Sequence, residues 1–268
     1  MRPTLLPYSG GKKPMYKKHL EPLLSLLYDA GYRNMISPFI GGGYTELGWI
    51  LDFSSTTLKA SDIDEDLVYF YNYIMKHPKK FYEKVLEESK HITKDTTLLE
   101  IKTDVKNRAV RFYLVQKLAF QAFTIANSRI SEVKYKQFKD ILKSGKLEEL
   151  VYQISDNKNR ITIEHKNFFK DKSFYKPSKA QGSQSFYFID PPYYYSSEDR
   201  QESYGLKNLY YKGHKDFDYE ELYYFIKKLN VPFILCYNNH PIIKKIYKGY
   251  KQKTFNFRGK EELIITNF

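Results

Sequence analysis

The sequence predicts an α/β fold: a parallel sheet built by strand–helix alternation, interrupted by a helical insert and closed by an antiparallel hairpin. Three observations predict it. Short apolar runs alternate with amphipathic stretches on both flanks of the chain. The middle carries apolar residues at helical spacing. The last stretch holds two strand-like runs around Arg258-Gly259-Lys260.

Residues 35–40, Met-Ile-Ser-Pro-Phe-Ile, read as a buried strand that runs into Gly41-Gly42-Gly43. A short helix follows from Tyr44 to Leu51, then a second strand at Thr57-Leu58-Lys59-Ala60-Ser61-Asp62 and a helix from Asp66 to Met75. This β-α-β-α rhythm predicts parallel strands joined by right-handed crossovers. Val105, Ala109, Phe112, Leu118, Ala119, Ala122 and Phe123 then recur near helical spacing, and Val133 to Leu150 extends that pattern. The sheet resumes at Ser185-Phe186-Tyr187-Phe188-Ile189-Asp190. A helix from Tyr219 to Leu229, a strand at 232–237, and strands over 250–257 and 261–268 complete the chain. The expected organisation is one body made of residues 1–75 and 161–268, with a helical insert at 76–160.

Composition narrows the function classes. The 268 residues carry 44 Lys+Arg against 31 Asp+Glu, a net charge of +13, which points to a polyanionic partner. Residues 76–180 hold 24 basic and 13 acidic side chains, so nearly all the excess lies in the middle. That placement suits a phosphate-facing insert in a near-neutral body. The single cysteine, Cys236, excludes an intramolecular disulfide and a cysteine-based zinc site, and it reads as a core residue. The six histidines lack ligand spacing, so no metal is expected. No apolar run is long enough for a membrane span, and no signal-peptide core follows the N-terminus. The expected location is therefore the cytoplasm.

Three glycines after a strand let backbone approach a ligand at a helix N-terminus. Asp62 ends the next strand, 21 residues after Gly41, where a carboxylate can accept from ribose hydroxyls. An adenosine-containing ligand fits both features. Glu46 stands where a dinucleotide loop would carry its third glycine and would repel a pyrophosphate, so a ligand without phosphate, such as S-adenosylmethionine, fits better.

Asp190-Pro191-Pro192-Tyr193 follows the next apolar strand. Two prolines fix the backbone and remove two N–H donors. The Asp190 carboxylate and the Pro191 carbonyl remain as rigid acceptors, suited to the two N–H groups of an exocyclic amine. Tyr193 offers a face on which a planar base stacks.

Together these residues resemble the Dam-type (D12 class) DNA adenine N6-methyltransferases. Asp190-Pro191-Pro192-Tyr193 is similar to the family's catalytic motif, and Pro38-Phe39-Ile40-Gly41-Gly42-Gly43 to its methyl-donor loop. Tyr8-Ser9-Gly10-Gly11-Lys12 resembles its N-terminal motif and Ala60-Ser61-Asp62-Ile63 its ribose-binding stretch. Cys236-Tyr237-Asn238 and Glu262-Leu263-Ile264-Ile265-Thr266-Asn267 resemble its late motifs, and Lys166-Asn167-Phe168 stands where the family often has Gly-Asp-Phe. The resemblance implies a Rossmann-like S-adenosylmethionine-dependent methyltransferase fold with a C-terminal antiparallel hairpin and an inserted helical target-recognition subdomain. It implies S-adenosylmethionine held by Tyr8, Lys12, Pro38, Phe39, Gly41, Gly43, Asp62, Phe168 and Asp190. It also implies a flipped adenine held by the catalytic residues Asp190, Pro191, Pro192 and Tyr193.

The implied reaction is methyl transfer to N6 of adenine in double-stranded DNA. Cytosine N4, an RNA adenine or a protein glutamine amide as acceptor, and a non-catalytic DNA-binding module, are the competing readings. Base-reading candidates in the insert are Arg108, Arg111, Gln121, Asn127, Arg129 and Arg160; Arg108 and Arg111 also suit a solvated helix face. The polar, tyrosine-rich stretch from Tyr194 to His214 reads as a lid or substrate loop. The expected partner is double-stranded DNA, with no membrane and with room for a cognate restriction endonuclease acting separately. The protein is expected to be a monomer of bacterial or phage origin.

Overall fold

A computed structural model describes residues 4–7, 11–119, 130–176, 184–194, 217–257 and 260–268. Seven strands form one sheet in the order β3-β2-β1-β4-β5-β7-β6. They are β1 (Asn34–Ser37), β2 (Thr57–Asp62), β3 (Ile161–His165), β4 (Ser185–Ile189), β5 (Phe233–Asn238), β6 (Lys251–Phe257) and β7 (Lys260–Thr266). Strands β1 to β5 pair in parallel, with Met35 opposite Leu58 and Phe186, and Phe188 opposite Ile234. Strand β7 runs antiparallel to both neighbours, with Leu263 between Tyr237 and Thr254.

Ten labelled helices flank the strands: α1 (Glu21–Asp29), α2 (Tyr44–Asp52), α3 (Glu65–Lys76), α4 (Pro78–Ser89), α5 (Leu98–Asp104), α6 (Arg108–Leu118), α7 (Glu132–Lys143), α8 (Lys146–Asp156), α9 (Tyr219–Lys227) and α10 (Pro241–Ile246). Their starts are written in the sequence. Asp64 accepts from the amides of Asp66 and Leu67 at α3, and Thr97 with Glu100 forms a capping box at α5. Asn107, Ser131 and Asp218 cap α6, α7 and α9 in the same way.

The central strands are buried on both faces, which is why they read as continuous apolar runs rather than alternating ones. Successive side chains point to opposite faces. On β4, Phe186 and Phe188 enter a core shared with α1 to α8, whereas Tyr187 and Ile189 enter a second core with Leu222 and Ile226 of α9. Helices α4 to α8, which lie between β2 and β3, are part of that first core. Phe70 of α3 packs 5.6 Å from Phe81 of α4 and 6.2 Å from Tyr113 of α6, and Ser155 of α8 donates to the Met75 carbonyl.

Strand β1 stops at Ser37, short of the strand read over 35–40, because Pro38 has no N–H for the ladder. Arg160 also takes a different place from its reading as a surface reader of bases. Its guanidinium donates to the Ile50 carbonyl at 2.6 Å and the Thr56 carbonyl at 3.2 Å, satisfying groups left open at and beyond the end of α2. Arg160→Ala should therefore cost about 2 kcal/mol and lower the melting temperature by about 4–8 °C. An unchanged thermal melt would remove this capping role.

Candidate active site

The site lies at the carboxyl edge of the parallel strands, where open α/β sheets carry their ligands. From β1 the chain passes through Pro38 and Phe39 into the glycine turn. Gly41 and Gly43 adopt φ of 46° and 63°. A Cβ on Gly43 would lie 2.5 Å from the Tyr71 hydroxyl, so the third glycine is required by α3 packing beneath the turn as well as by backbone conformation. Tyr71 in turn donates to the Gly41 carbonyl at 3.1 Å.

Asp62 closes the turn from the end of β2. One carboxylate oxygen accepts from the Gly41 amide at 3.0 Å and the other from the Asp64 amide at 3.0 Å. The Ile63 amide is also directed at this carboxylate, which leaves about one of its roughly four acceptor sites for a further donor. Burial pushes the Asp62 carboxyl up to about 6 against the pull of these amides, so it is ionised at neutral pH. Phe39 and Phe168 pack with centroids 5.2 Å apart and planes tilted by 52°, and Phe168 lies three residues after the end of β3. Phe217 stands 5.5 Å from Phe39 and extends this aromatic wall. Asn167 turns its side chain to the amides of Phe169 and Lys170 and so shapes the loop that presents Phe168.

On the neighbouring strand, Asp190 sits at the end of β4. Lys12 Nζ lies 2.7 Å from Asp190 Oδ1, with Lys12 only 4% exposed and Asp190 21%. Burial alone would lower the Lys12 pKa; Asp190 and Glu262 outweigh it and hold the ammonium charged well above the ordinary lysine range. Burial raises the Asp190 carboxyl to about 6, while Lys12 opposes the rise. The same Lys12 Nζ lies 5.0 Å from the centre of the Tyr193 ring. The Asp190–Tyr193 loop is held from below: Tyr219 donates to the Tyr193 carbonyl at 2.8 Å, and Asn238 donates to the Tyr194 carbonyl at 2.8 Å.

Thus Lys12, Pro38, Phe39, Gly41, Gly43, Asp62, Phe168, Asp190, Pro191, Pro192 and Tyr193 are all at this edge of the sheet. Tyr8, Gln121, Asn127 and Arg129 lie outside the described residues, as does the stretch from 195 to 216. Arg108 and Arg111 sit on α6, and Arg108 reaches the start of α3, which follows Asp62 in the chain. Arg108 pairs with Asp66 at 2.6 Å and Glu65 at 3.1 Å, and Arg111 donates to the Val105 carbonyl at 3.0 Å. Among the described residues no cluster of His, Cys, Asp and Glu could hold a metal ion, and no helix is long and apolar enough to cross a membrane.

Sequence reasoning missed three supports. Tyr71 and Tyr219 carry no local signal, being one of many tyrosines in amphipathic helices. Glu46 was read as facing a ligand, but the structure turns it inward. It is 2% exposed and accepts from Ser37 Oγ at 2.8 Å. Burial raises its carboxyl to about 8, above the loss the Ser37 hydrogen bond recovers. A raised carboxyl pKa favours folding where the group is protonated, so this contribution is present at low pH and fades as pH rises toward 8. Glu46→Gln, which copies the neutral form, should match the wild type near pH 5 and exceed it in stability at pH 8. The gap should widen by at most about 1.4 kcal/mol per pH unit. Denaturant titrations at the two pH values check this, and an equal pH dependence of the two proteins would contradict it.

The sequence was also compared with known proteins. A family model described as D12 class N6 adenine-specific DNA methyltransferase matches residues 8–262, nearly the whole chain and every motif named above from Tyr8 to Glu262. No curated protein matches it. With a match of this extent laid over the glycine turn, the Asp62 carboxylate and the Asp190–Tyr193 loop, the chain belongs to the D12 class of N6 adenine-specific DNA methyltransferases.

Proposed function

We propose that this adenine-specific DNA methyltransferase takes its methyl group from S-adenosylmethionine and acts on an adenine turned out of double-stranded DNA. The observation that carries the reading is the Lys12–Asp190 pair beside the Tyr193 ring, at the same sheet edge as the glycine turn and Asp62. The seven-stranded mixed α/β sheet is consistent with such a fold, and methyltransferases of this family generally use this donor.

The residues fit the donor. Asp62 has an acceptor site left for a ribose hydroxyl, and Phe39 with Phe168 gives an apolar face for its adenine ring. With Glu46 turned inward, the carboxylates that face outward are Asp62 and Asp190, which suit a cationic sulfonium better than a pyrophosphate. When bound, S-adenosylmethionine supplies an electrophilic methyl group. The rest is done by the chain. Asp190 and the Pro191 carbonyl accept the two amino N–H groups of the adenine, which directs the N6 lone pair toward the donor. Lys12 keeps Asp190 ionised as an acceptor, and Tyr193 stacks on the base. Extrusion of the base costs a few kcal/mol, which phosphate contacts from the lysine-rich segment between residues 76 and 160 help to offset. In this reading that segment is a target-recognition insert. Gln121, Asn127 and Arg129 are its first candidates for contact with bases, ahead of Arg108 and Arg111 with their internal partners.

Asp190→Ala should lower single-turnover methyl transfer at least about a hundredfold while DNA affinity changes less than about threefold. Transfer measured with labelled donor on a duplex containing adenine, beside one lacking it, reads both the role and the acceptor. Unchanged turnover in the variant, or undiminished transfer to the adenine-free duplex, would overturn this reading.

A further inference from the structure

Strand β7 is reversed relative to β5, so its first residues lie at the edge where β5 ends. Glu262 is registered against Asn238 there, and against Phe255 on the other side. The reversal brings a second carboxylate to the site, beside the Asp190 that ends β4. The Tyr193 hydroxyl donates to Glu262 Oε2. Through space Glu262 also acts on Lys12, whose charge it favours, and on Asp190, whose ionisation it opposes. Lys12 is thus shared by two carboxylates and covered by the ring that one of them holds.

A tyrosine ring rotates broadly about its second side-chain torsion unless its ends are fixed. Tyr193 is partly buried, packed on one side against the second core. Among the described residues, the ring of Tyr237 is tilted by 46° at 6.4 Å and does not stack on it. A hydrogen bond from the far end of the ring to a carboxylate adds a directional restraint to these contacts and to the Lys12 ammonium over the ring, and bonds of this kind are among the stronger ones.

We propose that Glu262 is a positioning residue, which clamps the Tyr193 ring by its hydroxyl and so sets the plane on which the target base stacks. This rests on the reading that Tyr193 faces the adenine. In this role Glu262 acts through the ring of Tyr193. The clamp acts on orientation: it is made before the base arrives, so the base meets a platform that does not have to be ordered at the moment of reaction.

Among the described residues, the charged and titratable groups whose fields reach Asp190 are Lys12 from the N-terminal segment, Glu262 from β7, Glu46 from α2, Cys236 and Tyr237 from β5, and Tyr193. Glu262 raises Asp190, so removing its charge lowers the pH at which Asp190 is protonated. A residue that only fills space would leave that pH unchanged.

The test uses the full chain and a duplex containing adenine, and it compares Tyr193→Phe, Glu262→Ala, the double variant and Glu262→Gln in single-turnover methyl transfer. Each of the first two should lose about tenfold to a hundredfold, with donor dissociation constants unchanged within about twofold. The double variant should be no slower than the slower single one, because both remove the same bond. Glu262→Gln keeps an acceptor for the hydroxyl. It should recover most of the rate and move the acid limb of the profile to lower pH. Losses that multiply in the double variant, or a Glu262→Gln protein as slow as Glu262→Ala, would overturn the clamp. If the wild-type chain methylates adenine while these variants behave so, only the clamp fails; if the wild type leaves adenine unmethylated, the reading of the site fails with it.

Discussion

The ion pair between Lys12 and Asp190 is the constraint on which the rest of the site depends. An ammonium removed from water is costly unless carboxylates and hydrogen bonds replace the lost hydration. Lys12 is almost wholly enclosed, and the structure meets that cost with Asp190 at 2.7 Å and Glu262 beyond it. The N-terminal segment is therefore tied to the end of β4. The Asp190 loop cannot move without uncovering a buried charge. The prolines at 191 and 192, and the bonds from Tyr219 and Asn238 to the loop carbonyls, remove the remaining freedom.

A consequence is that the interior of the site is organised by carboxylates of different charge state. Asp62 and Asp190, each near 6, are ionised at neutral pH. Glu46, near 8, is mostly protonated and serves as a neutral partner for Ser37. The negative charge is thus placed toward the cleft and withheld from the layer beneath the glycine turn. The lysines take the opposite distribution, with 24 of the 44 basic residues in the segment from 76 to 180. In the proposed reaction, a cationic donor and an anionic duplex ask for these two signs in two places. The reversed β7 contributes to the first of them by carrying Glu262 to an edge that a parallel strand would have reached with its last residues.

Most of the sheet is legible in the sequence because its central strands are buried on both sides. Runs such as Phe186 to Ile189 and Phe233 to Tyr237 admit few other readings. Asp62, Asp190 and the glycines are legible because chemistry restricts what can stand at those points. Strand β3 is not: Ile161 to His165 is a short edge strand with exposed alternate residues, and its signal is weak. Helices α1, α4, α5 and α10 are short or flanked by ambiguous residues, and tertiary packing decides them. The direction in which Glu46 points was illegible for a related reason. An acid in the first turn of a helix ordinarily faces solvent, and only the Ser37 hydroxyl at the end of β1 explains the inward turn. The same holds for Arg160, which bonds Asn157 nearby but also backbone carbonyls more than a hundred residues away in the chain.

The central claim is that Lys12 keeps Asp190 ionised and in place to accept the amino group of the base. The most direct measurement is the pH dependence of single-turnover methyl transfer in Lys12→Met against the wild type. Lys12 lowers the Asp190 pKa, so its loss should move the acid limb to higher pH than in the wild type. It should also slow transfer at neutral pH by at least about tenfold. A Lys12→Met protein with the wild-type rate and an acid limb that has not moved would contradict the claim.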